Sequence, residues 1–192
     1  QERLEIEDEL QLMPEQICEA YKYVQNVPVV CDLKAVNALG ITGPEQYRFE
    51  IFKNMIVDLV TRQYFTDVRL FFVVEEQHKD RIHWLRFLPG AYCAQTDTRA
   101  IVSDDESKNL IFEYLYKELS AREQEKSYEN HIIVFFYDEY GFKKHPVSRF
   151  VEKAKDLGVT FVFFGNDRSE IPVGCAALVN ILDSQQGVLI SA

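Results

Sequence analysis

The chain has 192 residues, 47% hydrophobic and 27% charged, which is enough for one well-buried domain and rules out disorder, collagen and coiled coil. No run approaches the roughly eighteen apolar residues of a membrane span. The 21 basic residues against 31 acidic ones give −10, which argues against duplex nucleic acid or a membrane surface as partner.

The start at Gln1-Glu2-Arg3 has no Met, basic n-region or apolar h-region. No signal peptide is expected, and the chain reads as a piece of something larger. One domain is expected over 1–192, with an acidic lead-in and first helix over 1–26 and an α/β core over 27–192.

Pro14 suits the first turn of a helix that carries Ile17, Ala20, Tyr21 and Val24 and runs to Asn26. Pro28 to Leu33 and Ala35 to Ile41 are Val-rich runs that predict two strands, with a turn at Asp32-Leu33-Lys34. Tyr47 to Tyr64 carries a helical stripe of Phe49, Phe52, Met55, Ile56, Leu59 and Val60. Val68 to Val74 is almost continuously apolar, which predicts a strand covered on both faces.

A helical patch with Ile82, Trp84, Leu85 and Leu88 is expected to end at Pro89-Gly90, and Ala100 to Val102 is expected to be a short strand. Ser103 and Glu106 have capping-box spacing ahead of a helix bearing Leu110, Ile111, Tyr114, Leu115 and Leu119. Ile132 to Tyr137 predicts a buried strand, and Val147 to Leu157 a helix that Gly158 terminates. Val159 to Phe164, Ala176 to Leu182 and Gly187 to Ile190 complete the strands. Alternating strands and helices predict an α/β fold with a mostly parallel central sheet and helices on both faces.

The cysteines at 18, 31, 93 and 175 form no CxxC pair, so no zinc site is expected, and Cys31 and Cys175 read as small buried hydrophobes of a reducing compartment. The dispersed histidines form no nucleophile motif, and no G-x-G-x-x-G follows a strand, which leaves an unrelated Rossmann-like enzyme without support.

Ligands of such sheets bind at the carboxyl ends of the strands. Gly40-Ile41-Thr42-Gly43-Pro44-Glu45-Gln46-Tyr47 lies there, and against the phosphate-binding template G-x-x-x-x-G-K-[ST] only Gly40 matches. Glu45 replaces the second Gly, Gln46 the phosphate-binding Lys and Tyr47 the Mg²⁺-ligating hydroxyl, while Pro44 lacks an N–H. The candidate residues of this degenerate loop are Gly40, Thr42, Gly43, Gln46 and Tyr47. The strand from Ile132 ends in Asp138-Glu139, the Walker B form, in which the Asp holds Mg²⁺ and the Glu orients water.

With these two signatures stand His83-Trp84-Leu85-Arg86-Phe87-Leu88-Pro89, His145-Pro146 before a helix, Leu157-Gly158-Val159-Thr160-Phe161 and Ile171-Pro172. In this order and spacing the chain resembles, over essentially its whole length, the FtsK/SpoIIIE-type ATPases of bacterial type VII secretion (EssC/EccC). The match is to their degenerate ATPase-like domain, between the transmembrane segments and the first tandem ATPase domain.

The resemblance implies a RecA-like, P-loop-NTPase-like core on the cytosolic face of the cell membrane, anchored only through the parent's transmembrane segments. It implies neighbouring ATPase domains and membrane components of the secretion system as partners, with a hexamer in the full-length context. The departures at Glu45, Gln46 and Tyr47 imply a pseudo-ATPase that couples the membrane stalk to the ATPase domains, with no catalytic residue and no cofactor. The alternative is ATP binding or slow hydrolysis at an atypical loop, with Asp138 and Glu139 serving Mg²⁺.

Overall fold

The computed structural model describes residues 30–183 and 186–191. The expected lead-in and helix over 1–26, and Cys18, lie outside them. The chain divides into Gln1–Val30 and Cys31–Ala192, and the second unit carries the fold.

Nine strands and two α-helices follow in chain order among the described residues: β1 (Ala38–Thr42), α1 (Glu45–Arg62), β2 (Val68–Val73), β3 (Tyr92–Cys93), β4 (Thr98–Arg99), β5 (Ile101–Val102), α2 (Asp105–Glu125), β6 (His131–Phe136), β7 (Val159–Gly165), β8 (Ala177–Ile181) and β9 (Gly187–Ser191). Seven strands form one sheet in the order β5-β2-β6-β7-β1-β8-β9, while β3 and β4 form a separate hairpin. All pairings in the large sheet are parallel except β8 with β9. This is the expected α/β sheet.

The central strands are buried along their whole length because both faces are covered. Every residue of β1, β6 and β7 is buried, which explains their unbroken apolar sequence. On one face α1 inserts Phe49, Phe52 and Ile56 at helical spacing against Phe72, Phe135, Tyr137 and Phe164. Phe52 alone meets Phe72, Phe135 and Phe164 edge-on, and such pairs each add about 0.5–1.5 kcal/mol beyond burial. On the other face α2 presents Ile111, Phe112, Leu115 and Leu119 to Phe71, Phe136, Phe161 and Phe163.

Several local expectations shift. Residues 30–33 are not a strand; a turn at 33–35 leads into β1, and Pro28 and Val29 lie outside the described residues. The capping box of α2 is one residue later than expected: the Asp104 carboxylate accepts from Ser107 N at 2.8 Å, and Ser107 Oγ accepts from Asp104 N. The Trp84 segment is a 3-10 helix, Glu76–Phe87, and Pro89 opens a further 3-10 turn rather than ending the patch.

The expected helix Val147–Leu157 is two 3-10 turns, Pro146–Phe150 and Ala154–Leu157, although Gly158 does cap the second in the left-handed conformation. Cys175 is buried as expected and Cys31 half-buried.

Candidate functional site

The chain enters the sheet centre at β1, crosses under α1 to β2, and returns through β6 and β7 to lie beside β1. From β7 it passes over the opposite face to β8, where Ile171 and Cys175 join the cluster beneath α2. The crossovers after β1 and β7 therefore leave in opposite directions on opposite faces. This is the switch point at which doubly wound sheets bind ligands. A cleft of about 510 Å³ opens there, lined by residues that follow four strands: Glu45 and Arg48 after β1, Glu75 and His78 after β2, Tyr137 to Glu139 after β6, and Asn166 and Glu170 after β7.

The expected phosphate loop is not a loop. Gly40 and Thr42 are strand residues in β1, and only Gly43 and Pro44 separate β1 from α1. Gly40 is small because the β7–β8 crossover packs on it: a Cβ would sit 2.7 Å from Ile171 Cγ2 and 2.8 Å from Leu178 Cδ1. Gly43 makes the tight turn at φ +140°, where a Cβ would stand 2.7 Å from Ile181 O.

Few N–H groups of the turn remain for a phosphate cradle: Gly43 N donates to Gly165 O at 3.3 Å, Pro44 has none, and Tyr47 N and Arg48 N both donate to Pro44 O. Gln46 lies in the first turn of α1, and Tyr47 packs against the apolar cluster under that helix.

The acidic pair does sit at the cleft, and it is engaged. Asp138 Oδ2 accepts from Glu75 N at 2.7 Å and contacts His78 Nδ1 at 2.9 Å, with its side chain 14% exposed. It therefore fastens the start of the 75–88 segment to the end of β6. Glu139 folds back on its own turn, accepting from Gly141 N at 3.0 Å and Lys143 N at 2.6 Å.

Around them Arg81 bridges to Glu45 at 2.5 Å and lies 3.8 Å from the centre of the Phe49 ring, and its hydrogen bond holds the Glu45 carboxyl below its ordinary pKa. Arg48 donates to Asn166 Oδ1 at 2.7 Å. Glu170 is likewise lowered, by hydrogen bonds from the Asn166 side chain and backbone. Burial raises the Tyr137 hydroxyl, and that hydroxyl and Arg48 Nε are buried without a partner.

The lining of the cleft is predominantly acidic. Five carboxylates (Glu45, Glu75, Asp138, Glu139 and Glu170) face the cleft against Arg48 and Lys143, and Lys143 Nζ already donates to Glu170 O at 3.0 Å. No lysine stands between Gly43 and Arg48, and neither 46 nor 47 is a Ser or Thr. Among the described residues no group of three or more His, Cys, Asp or Glu side chains is placed to hold a metal ion.

Sequence reasoning found Asp138 and Glu139 but missed Arg48, Glu75, His78, Arg81 and Asn166. Glu75 and Asn166 were findable, since each stands just past the carboxyl end of a buried strand. His78 and Arg81 were not, because their helical segment folds over the cleft only once the tertiary structure exists.

No family model matches the chain. It is 20% identical over 190 residues to the ESX secretion system protein YukB of Bacillus subtilis, an alignment that covers 94% of this chain. It is 22% identical over 195 residues to the type VII secretion system protein EssC of Staphylococcus aureus, with 96% covered. The chain spans only 12–13% of the length of these relatives.

Among solved structures it resembles Thermomonospora curvata EccC (ATPases 2 and 3, in complex with a signal sequence peptide), with a TM-score of 0.57 and 11% identity over 80% of this chain and 33% of that one. That likeness supports a P-loop-NTPase-like fold. Among the described residues no helix is long and apolar enough to cross a membrane. Over nearly its whole length, the chain is related to one section of the type VII secretion ATPases of the EssC/EccC kind.

Proposed function

We propose that this domain is a non-catalytic, ATPase-like section of a type VII secretion motor. It would sit on the cytosolic face of the membrane and couple the membrane stalk to neighbouring ATPase domains within a hexamer. One observation carries the reading: β1 is joined to α1 by Gly43 and Pro44 alone. A phosphate-binding loop needs a longer run of free N–H groups and a Lys at the helix start. The acidic cleft supports it, because a triphosphate would meet carboxylates where phosphoryl transfer relies on positive charge.

The alternative, Mg²⁺ held by Asp138 with Glu139 orienting water, is opposed by the structural work both side chains already do. A domain locked in this way suits the transmission of movement, since Asp138–His78 and Glu45–Arg81 join segments after β1, β2 and β6 into one block.

The test is a titration of the domain with a fluorescent ATP analogue, with and without Mg²⁺, beside a turnover assay. The expected result is no saturable Mg²⁺-dependent signal and no hydrolysis above a buffer control. Hydrolysis abolished by Glu139→Gln would overturn the proposal.

A further inference from the structure

Tyr137 follows β6, and its ring fills an apolar place that a phenylalanine would fill as well. Its centre lies 5.6 Å from that of Phe49, 5.3 Å from Phe52 and 6.0 Å from Phe164, with the His78 ring edge-on at 5.3 Å. The hydroxyl is what this packing does not explain. Tyr137 is 2% exposed and lines the cleft, yet its oxygen is buried without a hydrogen-bond partner. The charges that act on it, those of Arg81, Arg48, Glu45 and Asp138, all stand at the cleft or its rim, so the hydroxyl is aimed there and not into the core. A polar group left in this state destabilises the fold.

Arg48 adds a second unfilled position. It is buried, its guanidinium carbon lies 6.0 Å from the centre of the Tyr137 ring, and Nη2 donates to Asn166, but Nε–H has no acceptor. Around this pair the carboxylates keep oxygens in hand. Both contacts of Asp138 use Oδ2, Gln77 takes only Oε2 of Glu75, and Arg81 takes only Oε1 of Glu45. The cleft therefore offers a buried donor, a buried hydroxyl and several negative acceptors.

These groups define their occupant. A metal ion could serve the carboxylates but cannot accept from Arg48, and an anion could accept from Arg48 but would meet five carboxylates. A basic side chain carried on a peptide does both. The cleft of about 510 Å³ has room for one residue with its flanking peptide groups. A guanidinium suits it better than an ammonium, because a planar fork of donors reaches several acceptors at once. The same rim already seats one: Arg81 bridges to Glu45 and lies over the Phe49 ring. The net charge of −10 draws a basic segment toward the domain.

We propose that the cleft is a socket for an arginine presented by a loop of a neighbouring domain. Tyr137 Oη and the carboxylates of Glu45, Glu75 and Asp138 accept from the incoming guanidinium, and Arg48 Nε donates to a carbonyl of the loop. The socket rests on the coupling reading above and supplies the contact through which movement passes.

The probe is N-acetyl-arginine N-methylamide, titrated into the isotope-labelled chain and followed by amide chemical shifts. Saturable shifts are expected at residues 45–48, 75–78, 137–139 and 166–170, weakening as salt is raised. The neutral N-acetyl-citrulline N-methylamide, of the same shape, should leave them unmoved. Tyr137→Phe should weaken binding about ten-fold while holding or raising the melting temperature, because it removes only the unpaired hydroxyl. Glu113→Gln, at an exposed position on α2, should leave binding intact.

Citrulline binding as well as arginine, or a Tyr137→Phe variant that binds like the wild type or melts lower, would overturn the proposal. No arginine binding at all would overturn the socket alone and leave the non-catalytic reading to its nucleotide titration. An ATP analogue that moves the same amides and is displaced by the arginine probe would overturn both.

Discussion

Asp138 illustrates how a residue can keep its place in a fold while its use changes. From its sequence, the Asp at the end of β6 has the Walker B form, in which the carboxylate holds Mg²⁺. Here it accepts from the Glu75 amide and touches His78. Asp138→Ala should therefore destabilise the domain by about 1–3 kcal/mol, because it strands a part-buried N–H. Glu139→Ala, whose partners lie in an exposed turn, should cost less. Urea denaturation of both variants decides the point, and equal losses would show that Asp138 is not the fastening.

His131 makes the second case at this scale. It is buried at the start of β6, hydrogen-bonded to Thr160 Oγ1 at 2.9 Å, and its pKa is lowered to about 4, chiefly by burial and then by Lys34 and Arg122. The unfolded chain binds this proton near pH 6.5 and the folded chain only near 4. Stability is therefore full above 6.5 and falls with pH through that window. His145, also lowered by burial, acts in the same direction. His131→Gln should flatten the loss of stability between pH 7 and pH 5, measured by urea midpoints; an unchanged slope would remove His131 from the account.

At the scale of elements, the β1–α1 connection separates what substitution can restore from what it cannot. Glu45→Gly, Gln46→Lys and Tyr47→Thr together recreate the template residues but leave two residues between strand and helix, and they remove the Glu45 partner of Arg81. The triple variant should show no micromolar, Mg²⁺-dependent binding of a fluorescent nucleotide. Such binding would mean that the turn can unwind into a cradle.

This connection also marks the limit of what the sequence made legible. The β2, β6 and β7 runs, both helices and the Gly158 stop were readable because burial on both faces, helical spacing and a left-handed cap leave local signatures. Where β1 ends was not, because Thr42 is extended through its pairing with Gly165 and Asn180, partners far along the chain. The Val147–Leu157 pattern read as a helix because 3-10 turns and α-helices share nearly the same apolar spacing. The cleft was half legible: strand-end carboxylates show in sequence, but the His78 and Arg81 contacts depend on a segment folding across from β2.

For the whole molecule, the parallel sheet makes the domain slow to close. β1 is the first strand of the chain among the described residues, yet its neighbours come almost last: Ala38 pairs with Phe161 and Leu39 with Ala177. During synthesis β2 can find β6 while β1 has nothing to pair with, and its apolar run Ala38-Leu39-Gly40-Ile41-Thr42 waits through most of translation. Long-range pairing of this kind slows folding and leaves sticky intermediates. The nascent chain therefore carries this apolar inner strand unpaired until β7 and β8 emerge. An inner strand of the sheet is thus made first and paired late.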